Sequence, residues 1–288
     1  MGGAAVPSST TSFPRKRGGM ATAANARGEH LGQNGKRTRG LVGLAIGAVA
    51  LLRPTPAFAM HLSEGILPFH WAAAWWLAAL PILGLASLKL SRRSEASPAY
   101  KPFVAMIAAT VFVLSCMPIP VPIVGTCSHP CGTGLAAILV GPGMTVVVAF
   151  VALLLQALFL AHGGLSTLGA DLWSMGIVGG LSGYLAFKTL RSAGASEVVS
   201  AFAAGVFSDW ATYATTALQL SLALRGEQQI GQMFRIVSLA FVPTQLPLGL
   251  LEGALAACAV AFLARRRPKL LEQFARPRAL TLGREATR

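Results

Sequence analysis

The sequence predicts an all-α polytopic membrane protein: about seven transmembrane helices after a cleaved signal peptide, with a loop dipping into the bundle from the outer side. Three observations predict it. The 288 residues are 54% hydrophobic and only 12% charged, with a mean hydropathy of +0.61, whereas a soluble domain carries about a quarter charged residues. A basic stretch, a short apolar run and a small-x-small ending succeed one another before residue 60. Beyond it, seven apolar segments alternate with connections where basic residues gather.

The leader comes first. Residues 1–40 are rich in Gly, Ala, Ser, Thr and Arg and show no apolar periodicity. Lys36-Arg37-Thr38-Arg39, the apolar stretch Leu41 to Leu52, and Arg53 to Ala59 then follow as n-region, h-region and cleavage site. The alternative is an uncleaved signal anchor, although the apolar stretch is short for a bilayer. Cleavage after Ala59 makes Met60-His61 the mature N-terminus, outside the membrane. The domain boundaries are thus 1–59 for the removed leader, 60–265 for the transmembrane unit and 266–288 for a basic cytoplasmic tail. The basic segment before the signal is long for a bacterial leader. Either translation starts near Met20 or the leader is a bipartite organellar transit sequence, so an organellar membrane is the alternative to the bacterial inner membrane.

The apolar segments cover about 70–90, 102–118, 133–141, 143–162, 171–190, 197–223 and 233–263. Basic clusters follow the first (Lys89 to Lys101), the fifth (Lys188 to Arg191) and the seventh (Arg265-Arg266-Arg267). With the mature N-terminus outside, all three fall on the inner side. The third segment is too short to cross a bilayer. The Pro-rich stretch Pro118 to Pro130 precedes it and Gly141-Pro142-Gly143 ends it, so the loop around His129 is expected to enter the bundle, where protein covers its backbone.

The net charge of +14 sits in the leader, the connections and the tail. It encodes topology and forms no basic face with interleaved aromatics, which argues against nucleic-acid binding. Four cysteines are too few for a disulfide scaffold. Cys116 and Cys258 lie in apolar runs and read as packed thiols, whereas Cys127 and Cys131 flank His129.

Chemistry concentrates in the histidines. A His at position two of a mature chain is a chelator: the free amine, the deprotonated amide of His61 and its imidazole Nδ1 close adjacent rings on one metal. Three in-plane nitrogens then come from two residues, and a further imidazole completes a planar set suited to Ni(II), Cu(II) and strong-field Co(II). Within a longer chain the same dipeptide is ordinary. His129, in Gly125-Thr126-Cys127-Ser128-His129-Pro130-Cys131, is the best fourth ligand, its backbone restricted by Pro130. His162 supports the site or caps a helix at the lipid boundary, and His70 beside Trp71 is interfacial. Glu64 is a candidate acceptor for a ligand N–H, and Ser128 is a further candidate support beside the loop ligand. Asp171 and Asp209 sit near segment ends, to cap helices or support the site, and Glu252 lies inside the last segment.

Met60-His61-Leu62-Ser63-Glu64-Gly65 resembles the MHI-x-[DE]-G start of the cobalt/nickel substrate-binding (CbiM/NikM) family of energy-coupling factor importers. Gly125 to Pro130 resembles that family's metal loop. Ala161-His162-Gly163-Gly164-Leu165-Ser166-Thr167-Leu168-Gly169-Ala170 and Asp209-Trp210-Ala211-Thr212-Tyr213 are similar to two further signatures. The resemblance runs from Met60 to about residue 265. It implies metal ligation by Met60, His61 and His129, with Co(II) as transported substrate on the Cys-Ser-His-Pro form of the loop and Ni(II) as the alternative. It also implies a transmembrane coupling (T/Q) subunit, cytoplasmic ATPases and a small accessory (N-type) membrane subunit as partners, and uptake for cobalamin biosynthesis. Cys131 departs from the family, where Thr is usual. With Cys127 it is open to a disulfide, to soft ligation, or to a packed free thiol.

The chain has no Gly-x-x-x-x-Gly-Lys-Ser/Thr phosphate loop, so it is read as a transport subunit and not an enzyme, powered by partners. Alanines of the first span, Ala72 to Ala74, Ala78 and Ala79, would let a partner helix approach. Gly180-Leu181-Ser182-Gly183 matches an intramembrane serine protease pattern, but no histidine follows His162 to serve as base.

Overall fold

In lipid every backbone N–H and C=O must find a partner within the protein, which leaves helices as the units of a span. The computed structural model describes residues 2, 62, 64–117, 119–121 and 126–267. The predicted leader apart from residue 2, its predicted cleavage site, Met60, His61 and the tail beyond residue 267 lie outside the described residues.

Helix α1 (Phe69–Ala96) enters behind Pro68 and α2 (Tyr100–Ser115) returns. After a loop, α3 (Thr133–Val140) and α4 (Pro142–Phe159) are separated by Gly141. Gly141 has φ +82°, a conformation that suits only glycine, and Pro142 starts α4 at a position where its missing N–H is not needed. A continuous stretch follows: α5 (Leu168–Asp171), a π-helical segment (Leu172–Gly179) and α6 (Gly180–Ser192). Helices α7 (Glu197–Leu224) and α8 (Ile230–Arg266) complete the bundle. All seven apolar segments of the sequence therefore fall on helix. Among the described residues α1, α4 and α8 are long and apolar enough to cross a membrane.

The distribution of side chains is that of a lipid-embedded bundle. Leu77, Leu85, Met106, Phe159, Leu185, Leu239 and Phe262 are exposed. Conversely, α7 turns Ser208, Asp209, Thr212, Thr216 and Gln219 inward, all buried. Positions 208, 212 and 216 recur every fourth residue and so share one face. A chain whose polar stripe faces the core while its apolar surface faces out is a multi-pass membrane protein.

Helices α7 and α8 meet through small residues. A Cβ on Gly205 would stand 2.7 Å from the Glu252 carbonyl, and one on Gly253 would stand 2.7 Å from that of Phe202. Gly249 and Gly253 set the small-xxx-small spacing on α8 that close helix approach requires. Gly183 serves the same purpose between α6 and α7, where a Cβ would lie 2.9 Å from the Ala204 carbonyl. The Ser182 hydroxyl donates to the Phe207 carbonyl at 3.1 Å. The Gly-x-Ser-Gly segment is thus a packing seam rather than a protease nucleophile. In the first span, Ala72 and Ala79 are buried inside the chain's own bundle, whereas Ala74 remains exposed.

Two readings change. The all-α expectation misses a β-hairpin in the Pro-rich loop: β1 (Ile119–Val121) pairs antiparallel with β2 (Thr126–Ser128), in the register Ile119↔Ser128, Pro120↔Cys127 and Val121↔Thr126. Prolines suppress a strand signal in sequence, yet Pro is tolerated in a two-stranded ladder whose outer edge is unpaired. The disulfide option for Cys131 also falls, since its thiol is free and buried.

Helix α3 has eight residues, all buried, about 12 Å of rise against a hydrocarbon core of about 30 Å. Ser128, His129, Pro130 and Cys131 just before it are buried as well. The loop enters the bundle, as its sequence predicts.

Candidate metal-capture site

Two segments build the site, one from each side. The first is the chain just after His61. The Leu62 N–H donates to Asp171 Oδ1 at 3.1 Å, and its carbonyl accepts a short hydrogen bond from the Thr167 hydroxyl. Its side chain is 2% exposed, in a cluster with Ala170, Tyr213 and Leu220. One residue is thus held at donor, acceptor and side chain. Glu64 continues the docking: its carboxylate accepts the Ser166 N–H at 3.1 Å, and hydrogen bonds from Ser166 hold its pKa below the usual carboxylate range. Gly164 lies directly beneath, where a Cβ would come within 2.8 Å of the Glu64 nitrogen and 2.7 Å of its Cα. The Trp76 indole donates to the Leu165 carbonyl at 3.1 Å and ties this seat to α1.

The second segment is the loop. The His129 Nδ1–H donates to the Pro130 carbonyl at 3.0 Å, which makes Nε2 the lone-pair nitrogen of the neutral ring. His129 is fully buried. Burial, then the charge of neighbouring His162, lower its pKa to about 3, against the opposing pull of the Pro130 carbonyl. The His162 ring lies 5.3 Å from that of His129, centroid to centroid, and burial lowers its pKa too. Ala161, at φ +49°, turns the backbone at that point into a region costly for a residue with a Cβ.

The loop is held from α7 and α8. The Gln245 amide donates to Ser128 Oγ at 2.6 Å, and Tyr213 Oη stands 3.4 Å from the same hydroxyl. Tyr213 also donates to the His129 carbonyl at 3.3 Å. Glu252 accepts the N–H of Cys131 at 2.7 Å and of Gly132 at 2.9 Å. A carboxylate from α8 thereby satisfies N–H groups leading into α3 that have no helical partner. Gly132 has φ +68°, a turn that glycine makes without strain. Asp209 is fully buried, and neither of its carboxylate oxygens has a hydrogen-bond partner. It lies with Cys131 and Glu252 in a group whose ligand atoms are all within 4.8 Å of one another.

Of the residues singled out in the sequence, the structure brings together His129 and His162, with Ser128 next to His129 in the chain, and sets Asp209 with Cys131 and Glu252. Glu64 accepts from Ser166, and its expected role toward a ligand N–H of His61 falls outside the described residues. Met60 and His61 lie outside the described residues. His70 is exposed beside Trp71, the ring centroids 6.0 Å apart. Sequence reasoning missed the pairings of Asp171 with Leu62, Gln245 with Ser128 and Glu252 with the loop. The two signatures without an assigned role carry the signal. The Ala161 to Ala170 stretch seats the N-terminal segment, and the Asp209 to Tyr213 stretch backs the loop.

The family model for the cobalt uptake substrate-specific transmembrane region (CbiM) matches residues 61–270. The cobalt transport protein CbiM of Sorangium cellulosum is 63% identical over 214 residues, covering 74% of this chain and 95% of that protein. Its counterpart in Geobacter sulfurreducens is 57% identical over 222 residues, covering 77% of this chain and 64% of the longer relative. The one from Salmonella typhimurium is 42% identical over 215 residues, covering 74% and 87%. A crystal structure described as a transition metal transporter superposes with a TM-score of 0.65 at 25% identity, covering 72% of this chain and 93% of that one.

Proposed function

This chain belongs to the CbiM family, and from that premise we propose that it captures Co(II) at the outer face of a bacterial inner membrane through the amine of Met60, the amide and imidazole of His61, and His129 Nε2. It is the substrate-specific membrane subunit of a cobalt-type energy-coupling factor importer, a transport protein and not an enzyme. The observation that carries the capture reading is the threefold hold on Leu62, because it fixes the residue next to the proposed chelating dipeptide. The neutral, buried His129 supports it: a lone-pair nitrogen with a fixed tautomer needs no deprotonation before it binds.

In this reading, signal cleavage after Ala59 creates the free amine, and the seven apolar segments run with the mature N-terminus outside and the basic clusters within. Uptake is powered by cytoplasmic ATPases acting through a transmembrane coupling subunit, with a small accessory membrane subunit beside it. Co(II) is preferred over Ni(II) because the loop reads Cys-Ser-His-Pro and the relatives compared are named for cobalt transport. The test is Co(II) binding by the purified mature chain against a chain with one extra residue before Met60. The extension acylates the Met60 nitrogen and should abolish tight binding. Equal affinity in the two chains would remove the amine from the ligand set and refute the proposal. Competition with Ni(II) in the same assay decides the metal.

A further inference from the structure

Two residues beyond His129, the loop meets a second set of donors. Cys131 is fully buried and its thiol is free. Asp209 is fully buried, with both carboxylate oxygens unpartnered. Glu252 is 2% exposed, and its two oxygens are steadied by the N–H groups of Cys131 and Gly132. The ligand atoms of the three lie within 4.8 Å of one another. Among the described residues α3 and α7 carry no Lys or Arg, those of α8 are near its ends, at Arg235, Arg265 and Arg266, and those of the adjoining α6 are in its last turns, at Lys188 and Arg191. Buried carboxyls without a basic partner must be neutralised by protons or by a bound cation. An unpartnered Asp209 is the anomaly, because buried polar atoms almost always have a partner.

We propose that Cys131, Asp209 and Glu252 form a second divalent-cation site, two residues along the loop from His129, that Co(II) occupies in transit. The donor set is one sulfur and two carboxylate oxygens. That combination suits a four-coordinate borderline ion such as Co(II) or Zn(II), whereas Mg(II) and Ca(II) favour oxygen alone. Ligand atoms within 4.8 Å of one another need only a modest closure to reach metal–sulfur and metal–oxygen distances of about 2.3 and 2.0 Å. On binding, the Cys131 S–H bond breaks, the sulfur–metal bond forms and the proton is released to solvent. The Glu252 oxygens retain lone pairs while they hold the loop, so they bridge the backbone and the ion. A site of different donor chemistry close to the first lets an ion leave a four-nitrogen chelate by exchanging ligands in turn, with no bare ion in the apolar interior. The transit role rests on the capture site proposed above, whereas the existence of the second site does not.

The test is an optical titration of the purified full chain, natural N-terminus intact, with Co(II) in detergent. A sulfur-to-cobalt charge-transfer band is expected. It should vanish in Cys131→Ser, persist in Cys127→Ser, and require roughly tenfold or more additional Co(II) in Asp209→Asn. In the chain with one residue added before Met60 the band should remain while total bound metal falls. Absence of the band from the wild type at saturating Co(II) overturns the proposal. So does its survival in Cys131→Ser, or an unchanged titration in Asp209→Asn. X-ray absorption on the wild type, which should show a sulfur neighbour of cobalt, decides the matter should a variant fail to fold. If the band behaves as expected but the extension leaves total binding unchanged, the second site stands and the capture reading fails.

Discussion

His129 joins two properties in one ring: a fixed tautomer and a proton affinity far below that of a free imidazole. In an unfolded chain the ring titrates near 6.5. Below that pH the unfolded state takes up a proton that the folded ring refuses. Stability of the metal-free protein should therefore be full above about 6.5 and fall as the pH drops towards about 3. Melting temperatures of the apo-protein across this range should show the decline, and His129→Gln should flatten part of it. A profile indifferent to that substitution would mean that the ring is protonated in place. Asp171 offers a second prediction. Asp171→Asn leaves every proposed ligand present and weakens the acceptor of the Leu62 N–H, so Co(II) affinity should drop by about 10- to 100-fold with normal insertion, as isothermal titration would read. Sequence alone could single out Met60-His61 and His129 as candidate ligands, because their chemistry is local. It could not assign Asp171 or Glu252 their partners, which stand 109 and up to 121 residues away.

The elements were largely legible, because lipid imposes long apolar runs and the chain has them. What the runs concealed is how closely they pack. The contact of Gly205 and Gly253 with the opposite backbone is invisible in a hydropathy pattern, yet it sets the spacing of α7 and α8 and hence of Asp209 and Glu252. Gly253→Val should force these helices apart and destabilise the protein by about 1–3 kcal/mol, the usual effect of overpacking. Thermal unfolding in detergent measures this, and an unchanged midpoint would show that the seam is loose. The hairpin β1–β2 was hidden for the opposite reason: its prolines read as irregular loop, and only pairing with a second short strand makes it regular. Helix α3 was foreseen as too short, but not that a carboxylate from α8 would complete its start.

For the whole molecule, the proposed capture depends on the order of biosynthetic events. A substitution that blocks signal cleavage, such as Ala59→Arg, should give a protein that inserts normally but binds no Co(II) and supports no uptake. Membrane fractionation alongside radiolabelled cobalt accumulation would separate the two effects, and uptake by the uncleaved form would count against the mechanism. The Gly164 seat has a practical corollary. One methyl group there meets the Glu64 backbone and removes no proposed ligand, so Gly164→Ala should evict the N-terminal segment while the bundle stands. The product is a permanently empty receptor with an intact membrane surface. Mixed with the coupling machinery, it would reveal whether the importer recruits this subunit before or after it has caught its ion.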